Sequence, residues 1–263
     1  MAHTDEIREI AGVRLQLLRG GEGPPLIFLH GPFRGGRWAP HYEDLARHYT
    51  VLAPAHPGFG RSEDPGWIES VEDMAFYYLD FLEELGLDRV NLVGVSFGGW
   101  IAAELASICC HRLRRLVLMA PSGIRLPDVQ RPDLFALGPE EALRLLYKHP
   151  ERGVMPFPLN PTGEEREILE RQQQMLARVA RDPYFENPRL LRRLRRIRVP
   201  TLLIWGAEDR VLPLPYATAY RDAIPGASLV VIPDSGHVPA VDQRETFVRA
   251  VMGFFAGAPA GGE

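Results

Sequence analysis

Two cysteines in 263 residues, and those two adjacent at Cys109 and Cys110, leave no disulfide framework. Neighbouring cysteines do not close an ordinary structural bridge, so a pair of buried free thiols in a reducing compartment is expected. Lysine is nearly missing as well: Lys148 is the only one, and arginine carries the rest of the positive charge. With a formal net charge of −4 the chain lacks the basic face that phosphate backbones demand, which excludes nucleic acid as a main partner. No apolar run approaches membrane-spanning length, and the start, Met1-Ala2-His3-Thr4-Asp5-Glu6, has no apolar signal core. The histidines do not stand at ligand spacing with cysteines or carboxylates, and no phosphate-cradling or dinucleotide fingerprint follows the first strand. The expectation is a cytoplasmic protein with no cofactor, no metal, no nucleic acid and no membrane insertion, acting on a small-molecule ester, as a monomer or homodimer.

What is present is a large core and a rhythm. The chain is 46% hydrophobic and 24% charged, enough apolar surface for a folded α/β unit with an insertion. A hairpin opens it: Ile7 to Ile10, a turn at Ala11-Gly12, then alternating Val13, Leu15 and Leu17. Leu26 to Leu29, Thr50 to Ala53, Val90 to Val95 and Leu116 to Met119 are short continuous apolar runs, as strands buried on both faces should be. Between them Val71 to Leu85 carries apolar residues at helical spacing, starting at Ser70 with Asp73 three residues on and stopping at Gly86. From Gly123 to Arg196 no strand is expected; prolines alternate with helical pieces at Pro139 to Tyr147 and Glu164 to Arg181. Arg189 to Arg198 reads as a helix with its leucines inward and its arginines in water. The strand pattern resumes at Thr201 to Trp205 and Ser228 to Ile232, and a last helix runs from Arg244 to Phe255. Alternating strands and helices signal a mostly parallel sheet with helices on both sides. The helical stretch reads as a cap over the carboxyl ends of the strands, where open α/β sheets bind ligands.

Gly94-Val95-Ser96-Phe97-Gly98 sits between one of these strands and an alanine-rich helix. A serine flanked by glycines at such a turn is held in a strained conformation with its hydroxyl clear of the backbone, poised as a nucleophile. It needs a histidine to take its proton and a carboxylate to orient that histidine. Two later strand ends supply them: Gly206-Ala207-Glu208-Asp209-Arg210 follows one, and Pro233-Asp234-Ser235-Gly236-His237 follows the other. In a parallel sheet both loops emerge on the same edge as Ser96. His237 is the candidate base, and Asp234 comes too early in its own loop to support the ring from behind. The order serine, acid, histidine is that of the nucleophile-elbow architecture.

These motifs, together with His30-Gly31 and Pro57-Gly58-Phe59-Gly60-Arg61-Ser62, make the chain resemble the α/β-hydrolase superfamily over most of its length. The resemblance implies an eight-stranded, mostly parallel sheet flanked by helices, with a core of residues 1–122 and 197–255, a helical cap at 123–196 and a flexible tail at 256–263. It assigns Ser96, Asp209 and His237 as the catalytic residues, with Asp209 preferred to Glu208. It places one oxyanion donor at the Phe97 amide and the other after His30-Gly31. Pro32 has no N–H to give, so Phe33 is expected to donate instead. Serine at 96, not aspartate, departs from the dehalogenase and epoxide-hydrolase branches. The expected reaction is cofactor-independent hydrolysis of a small or medium carboxylic ester. Carbon–carbon bond hydrolysis of ring-cleavage products uses the same triad, but relatives of that kind tend to have an aromatic residue after the histidine, where this chain has Val238. A non-catalytic ligand-binding member of the fold is the alternative from another class.

Other residues take plainer readings. His30 is expected to brace its loop, His56 to sit in a surface loop, and Arg34 and Arg37 to be solvated charges at the cleft mouth. Leu134, Phe135, Leu137, Leu145, Met155, Phe157 and Leu159 are candidates for the apolar walls of the pocket.

Overall fold

A computed structural model of the chain describes residues 2–33, 35–153 and 160–257. It opens on an antiparallel hairpin, β1 (His3–Ile10) and β2 (Val13–Gly20), whose turn at Ala11-Gly12 takes φ of +51° and +72°. Two successive positive φ values match the right-handed twist of the flanking strands. Strand β1 begins earlier than the alternation of Ile7 to Ile10 indicates. Its residues His3 to Glu9 are all exposed, so the ladder to β2 holds it and burial does not, and no hydrophobic pattern marks its start.

The chain continues through β3 (Pro25–Leu29), α1 (Pro40–Leu45), β4 (Thr50–Pro54), α2 (Val71–Glu84), β5 (Val90–Val95), α3 (Phe97–Cys109) and β6 (Leu113–Met119). Helices α4 (Pro139–Leu146), α5 (Gly163–Ala180) and α6 (Leu190–Arg193) follow. Then come β7 (Thr201–Gly206), α7 (Leu214–Ala223), β8 (Ser228–Ile232), α8 (Pro239–Asp242) and α9 (Arg244–Ala256). The eight strands form one sheet in the order β1-β2-β4-β3-β5-β6-β7-β8, parallel from β4 through β8. Side chains alternate across it. Ile27, Leu29, Leu92, Leu116, Leu118, Leu203 and Trp205 face one core, shared with α2, α3 and α7. Leu26, Phe28, Val93, Val95, Val117, Met119, Leu202 and Ile204 face the other, closed by α1 and α9. Strands covered on both faces have no polar side to alternate with, which is why they read as unbroken apolar runs.

Local signals account for the helix ends. The Ser70 hydroxyl caps α2 by accepting from the Asp73 amide at 3.1 Å, and the Asp73 carboxylate accepts in return from the Ser70 hydroxyl and the Glu69 amide. The arginine-rich stretch differs from expectation. It is the single turn α6 followed by a 3-10 turn over Leu194–Arg196, with Leu190, Leu194 and Ile197 buried and Leu191 exposed. Cys109 and Cys110 are free but half-buried, because α3 ends at Cys109 and the chain turns outward there. Helix α9 extends through Ala256 and is capped by Gly257 at φ +93°; residues 258–263 of the expected tail lie outside the described residues.

Among the described residues no strand lies between β6 and β7, only an isolated bridge from Gly123 to Glu186. Helix α5 lies across the loops that follow β3 and β4. Gln172 Nε2 donates to the Pro32 carbonyl at 2.9 Å, Arg171 to the Gly60 carbonyl at 2.6 Å, and Arg178 pairs with Asp64 at 2.8 Å. No helix among the described residues is long and apolar enough to cross a membrane.

One buried group behind the nucleophile turn makes stability depend on pH. Glu104, in the middle of α3, is fully buried; its Oε1 accepts from Trp100 Nε1 at 3.1 Å and Asn187 Nδ2 at 2.7 Å, while Oε2 has no hydrogen-bond partner and only a loose ion pair with Arg193 at 3.7 Å. Burial raises its pKa above the ordinary carboxylate value, and the two donors offset that only in part. A carboxyl raised in the fold contributes stability that is full below its unfolded pKa and is lost as pH climbs through the folded one. Glu104→Gln keeps an oxygen for both donors and removes the ionisation. Its urea midpoint is therefore expected to gain on wild type as pH rises from about 4 to about 7. A difference that stays flat with pH contradicts this account.

Candidate active site

Ser96 stands between β5 and α3 at φ +50° and ψ −111°, a conformation that few residues other than glycine adopt. Three backbone bonds hold it there: its amide donates to the Met119 carbonyl, and its carbonyl accepts from the amides of Trp100 and Ser122. The flanking glycines are required by contact. A Cβ at Gly98 would come within 2.3 Å of the Leu29 carbonyl oxygen, and one at Gly94 within 2.5 Å of the Gly98 carbonyl oxygen. The strand, the turn and the helix can approach this closely only if neither residue carries a side chain.

The ends of β7 and β8 bring the other two groups to the same edge. His237 Nε2 lies 2.9 Å from Ser96 Oγ, and His237 Nδ1 lies 2.8 Å from Asp209 Oδ2. All three side chains are buried. An ionised Asp209 can only accept, so Nδ1 carries the ring proton and Nε2 is left to accept from the serine hydroxyl. The other oxygen of Asp209 accepts from the amides of Val211 and Leu212 at 2.8 and 2.9 Å, which fixes the carboxylate in place. Glu208, its neighbour, pairs with Lys148 instead, and Asp234 pairs with His149 at 2.8 Å.

The loop carrying His237 is sewn to the end of α4. The His237 amide donates to the Leu146 carbonyl at 2.9 Å. Buried Asp242 accepts from the amides of Gly236, Lys148 and His149 at 2.7 to 3.0 Å. No periodicity announces this seam, because its donors are backbone groups brought together only by the fold.

Two cavities meet at Ser96. The larger one, about 640 Å³ of atom-free space partly open to solvent, also touches His237 and is walled by Phe28, Phe33, Tyr42, Met119, Tyr147 and Val238. The smaller one, with room for about a single water, is bounded by Ser96, Ser122, Arg131, Leu134, Tyr184 and Leu212 but not by His237. Of the apolar wall candidates, Leu134 lines the smaller cavity; Phe135, Leu137 and Leu145 line neither, and Met155, Phe157 and Leu159 lie outside the described residues. Leu146 and Tyr147, at the end of α4, take the place expected of Leu145, which helical rotation turns away. Arg37 is exposed at the rim of the larger cavity, and Arg34 is outside the described residues.

The loop after β3 rests on a histidine pair. His30 Nδ1 donates to the Gly31 carbonyl at 2.6 Å, and its Nε2 accepts from the His56 amide at 3.0 Å. His56 Nε2 donates to the His30 carbonyl at 2.9 Å, and its Nδ1 accepts from the Tyr78 hydroxyl at 2.6 Å. His30 thus braces its loop. His56 corrects the surface-loop expectation: it is 0% exposed, and burial, reinforced by His30, drives its pKa well below the usual histidine value. A polar residue between Ala55 and Pro57 gave no sign of burial, since the partners that satisfy it come from β3 and α2.

An eight-stranded, mostly parallel sheet with a serine on the turn from its central strand defines a class of hydrolases. The chain belongs to the alpha/beta hydrolase family, whose model matches residues 26–250. It is 30% identical over 274 residues to 2-hydroxy-6-oxo-2,4-heptadienoate hydrolase of Pseudomonas putida, covering 93% of this chain and 94% of that protein. It is 31% identical to 2-hydroxymuconate semialdehyde hydrolase of a Pseudomonas strain, covering 96% and 95%. The crystal structure of 2-hydroxy-6-oxo-6-phenylhexa-2,4-dienoate hydrolase from a Rhodococcus strain superposes with a TM-score of 0.79 at 22% identity, over 97% of this chain and 99% of that one.

Proposed function

We propose that this protein is a serine-nucleophile hydrolase that cleaves the carbon–carbon bond beside the ketone of a 2-hydroxy-6-oxo-dienoate. The observation that carries the reading is the continuous contact from Asp209 through His237 to Ser96, at 2.8 and 2.9 Å. The substrate class is taken from the two Pseudomonas relatives, which match nearly end to end.

In this reading the substrate first ketonises, moving a proton to C5. The electron pair left on C5 when the C5–C6 bond breaks can then delocalise through the C3–C4 double bond into the 2-oxo acid. His237 takes the Ser96 proton as the oxygen attacks C6, and the amides of Phe97 and Phe33 receive the oxyanion. The C5–C6 bond breaks and His237 returns the proton to the leaving fragment. Water, activated by the same imidazole, frees the acid from Ser96, and Asp209 holds the ring tautomer throughout. The segment 123–196 acts as a cap over this chemistry, and residues 1–122 and 197–255 as the core beneath it.

A second reading, hydrolysis of carboxylic esters, is favoured by the larger cavity itself: its wall is mainly apolar, and Val238 stands beside His237. Assaying 2-hydroxy-6-oxo-2,4-heptadienoate beside p-nitrophenyl butanoate separates the two. Carbon–carbon cleavage with a kcat/KM at least about tenfold above ester hydrolysis is expected. Turnover of the ester alone overturns the primary reading in favour of the second.

A further inference from the structure

Helix α5 buries one stripe, Gln172, Met175, Leu176, Val179 and Ala180, at the spacing of successive helical turns. Gln172 is its one polar member, and it is only 5% exposed. A buried amide is costly unless a partner meets it. Here the partner is the carbonyl of Pro32, which accepts from Gln172 Nε2 at 2.9 Å. The consequence reaches beyond the docking of α5, because of what the same peptide carries. The unit joining Pro32 to Phe33 contains both that carbonyl and the Phe33 N–H, the second oxyanion donor in the proposed mechanism. In a trans peptide these two groups point in opposite directions within one plane.

Pro32 and Phe33 line the larger cavity with Ser96, and a Cβ on Gly31 would stand 3.8 Å from the Ser96 Cβ, so this loop adjoins the nucleophile. Gln172 lines neither cavity. It therefore draws the Pro32 carbonyl away from the space beside Ser96 and turns the Phe33 N–H back toward it. The preceding carbonyl, of Gly31, accepts from His30 Nδ1 at 2.6 Å. Both loop oxygens are thus engaged by side chains, and neither is left to face a developing negative charge. We propose that Gln172 is a positioning residue for the oxyanion hole: it fixes the plane of the Pro32–Phe33 peptide and so aims the Phe33 N–H at the substrate oxygen. The hole is then complete only while α5 is docked. Donors stabilise an oxyanion when their direction is set before it forms. The Pro32 ring fixes φ but not the ψ that orients this peptide, so the direction has to come from outside the loop. The proposal rests on Ser96 acting as the nucleophile, whichever bond is cleaved.

Aiming the donor and merely docking the helix are separated by two variants of the full chain. Gln172→Met keeps the length of the side chain and removes its N–H. On whichever of 2-hydroxy-6-oxo-2,4-heptadienoate and p-nitrophenyl butanoate wild type turns over faster, it is expected to lower kcat by at least about tenfold, with KM within about threefold. Butylboronic acid, which bonds Ser96 Oγ to boron and sets a negatively charged tetrahedron in the site, is expected to inhibit it about tenfold more weakly. The control is Arg171→Met, one residue away, which removes the 2.6 Å bond from α5 to the Gly60 carbonyl and leaves Pro32 alone. Its kcat and its inhibition by the boronate should stay within about twofold of wild type, as no oxyanion donor is disturbed. If Gln172→Met does not fold, Gln172→Asn carries the same expectation, since it withdraws the amide by one carbon. A folded Gln172 variant with a smaller loss of kcat, a loss confined to KM, unchanged inhibition by the boronate, or an equal loss in Arg171→Met overturns the proposal. Failure of the hydrolase reading would appear separately, as wild type that cleaves neither substrate and whose Ser96 is not labelled by a fluorophosphonate.

Discussion

Ser96→Ala is expected to lower kcat by about 10⁶-fold, with the folded state intact. In the proposed mechanism the serine, the imidazole and the carboxylate act as one unit, so removing the nucleophile idles the other two. The fold should not follow. Ser96 is held by its own backbone bonds to Met119, Trp100 and Ser122, and the hydroxyl reaches only His237 among the contacts of the described residues. Alanine is no worse than serine at φ +50°, since each carries a Cβ. Thermal unfolding should therefore coincide with wild type within a few degrees, and a fluorophosphonate should label wild type at Ser96 and leave the variant untouched. A variant that retains a tenth of the wild-type rate would place the nucleophile elsewhere.

That the candidate nucleophile is legible in the sequence, and the buried His56 is not, has a physical reason. Ser96 belongs to a local device: a tight turn needs glycine at 94 and 98 because backbone atoms lie within 2.5 Å of where a Cβ would go. Such a requirement is written in consecutive residues. The strands of the central sheet were legible for a similar reason, since burial on both faces forces an apolar residue at every position. The strand ends carrying Asp209 and His237 could be found because parallel strands deliver their following loops to one edge. His56 and Asp242 belong to another kind of site. Each is polar and buried, and each is satisfied by partners far along the chain: Tyr78 and the His30 loop for one, the amides of Lys148, His149 and Gly236 for the other. A histidine before Pro57 looks the same in sequence whether or not a tyrosine from α2 is waiting for it. The start of β1 leaves no apolar trace for the opposite reason: residues His3 to Glu9 are exposed, and the ladder to β2 needs no apolar side chain there. Arg131 lies in a proline-bearing stretch where arginine ordinarily faces water; it is enclosed by the rings of Tyr184 and Tyr216, the Tyr184 carbonyl and Glu186, all far along the chain.

Asp209→Asn is expected to lower kcat by about 10⁴-fold while leaving the fold in place, as loss of the acid's charge does in serine proteases. The geometry gives the reason. Asp209 uses its two oxygens differently: Oδ1 accepts from the amides of Val211 and Leu212, and Oδ2 faces His237 Nδ1. Asparagine can satisfy the two amides with its carbonyl oxygen, so the loop after β7 keeps its shape. Its NH₂ group then faces the histidine ring and donates where the carboxylate accepted. Nδ1 must become the acceptor, the ring proton moves to Nε2, and a nitrogen bearing a proton cannot take another from Ser96. The substitution thus exchanges the tautomer and moves almost no atoms. Glu208→Gln is the control one residue away: Glu208 is partly exposed and pairs with Lys148, so activity should stay within about twofold of wild type, as for an ordinary surface ion pair. Steady-state kinetics of the two variants on one substrate, with circular dichroism to verify folding, decides the matter. Equal losses at 208 and 209, or an Asp209→Asn enzyme within tenfold of wild type, would remove Asp209 from the role that its contact with His237 gives it.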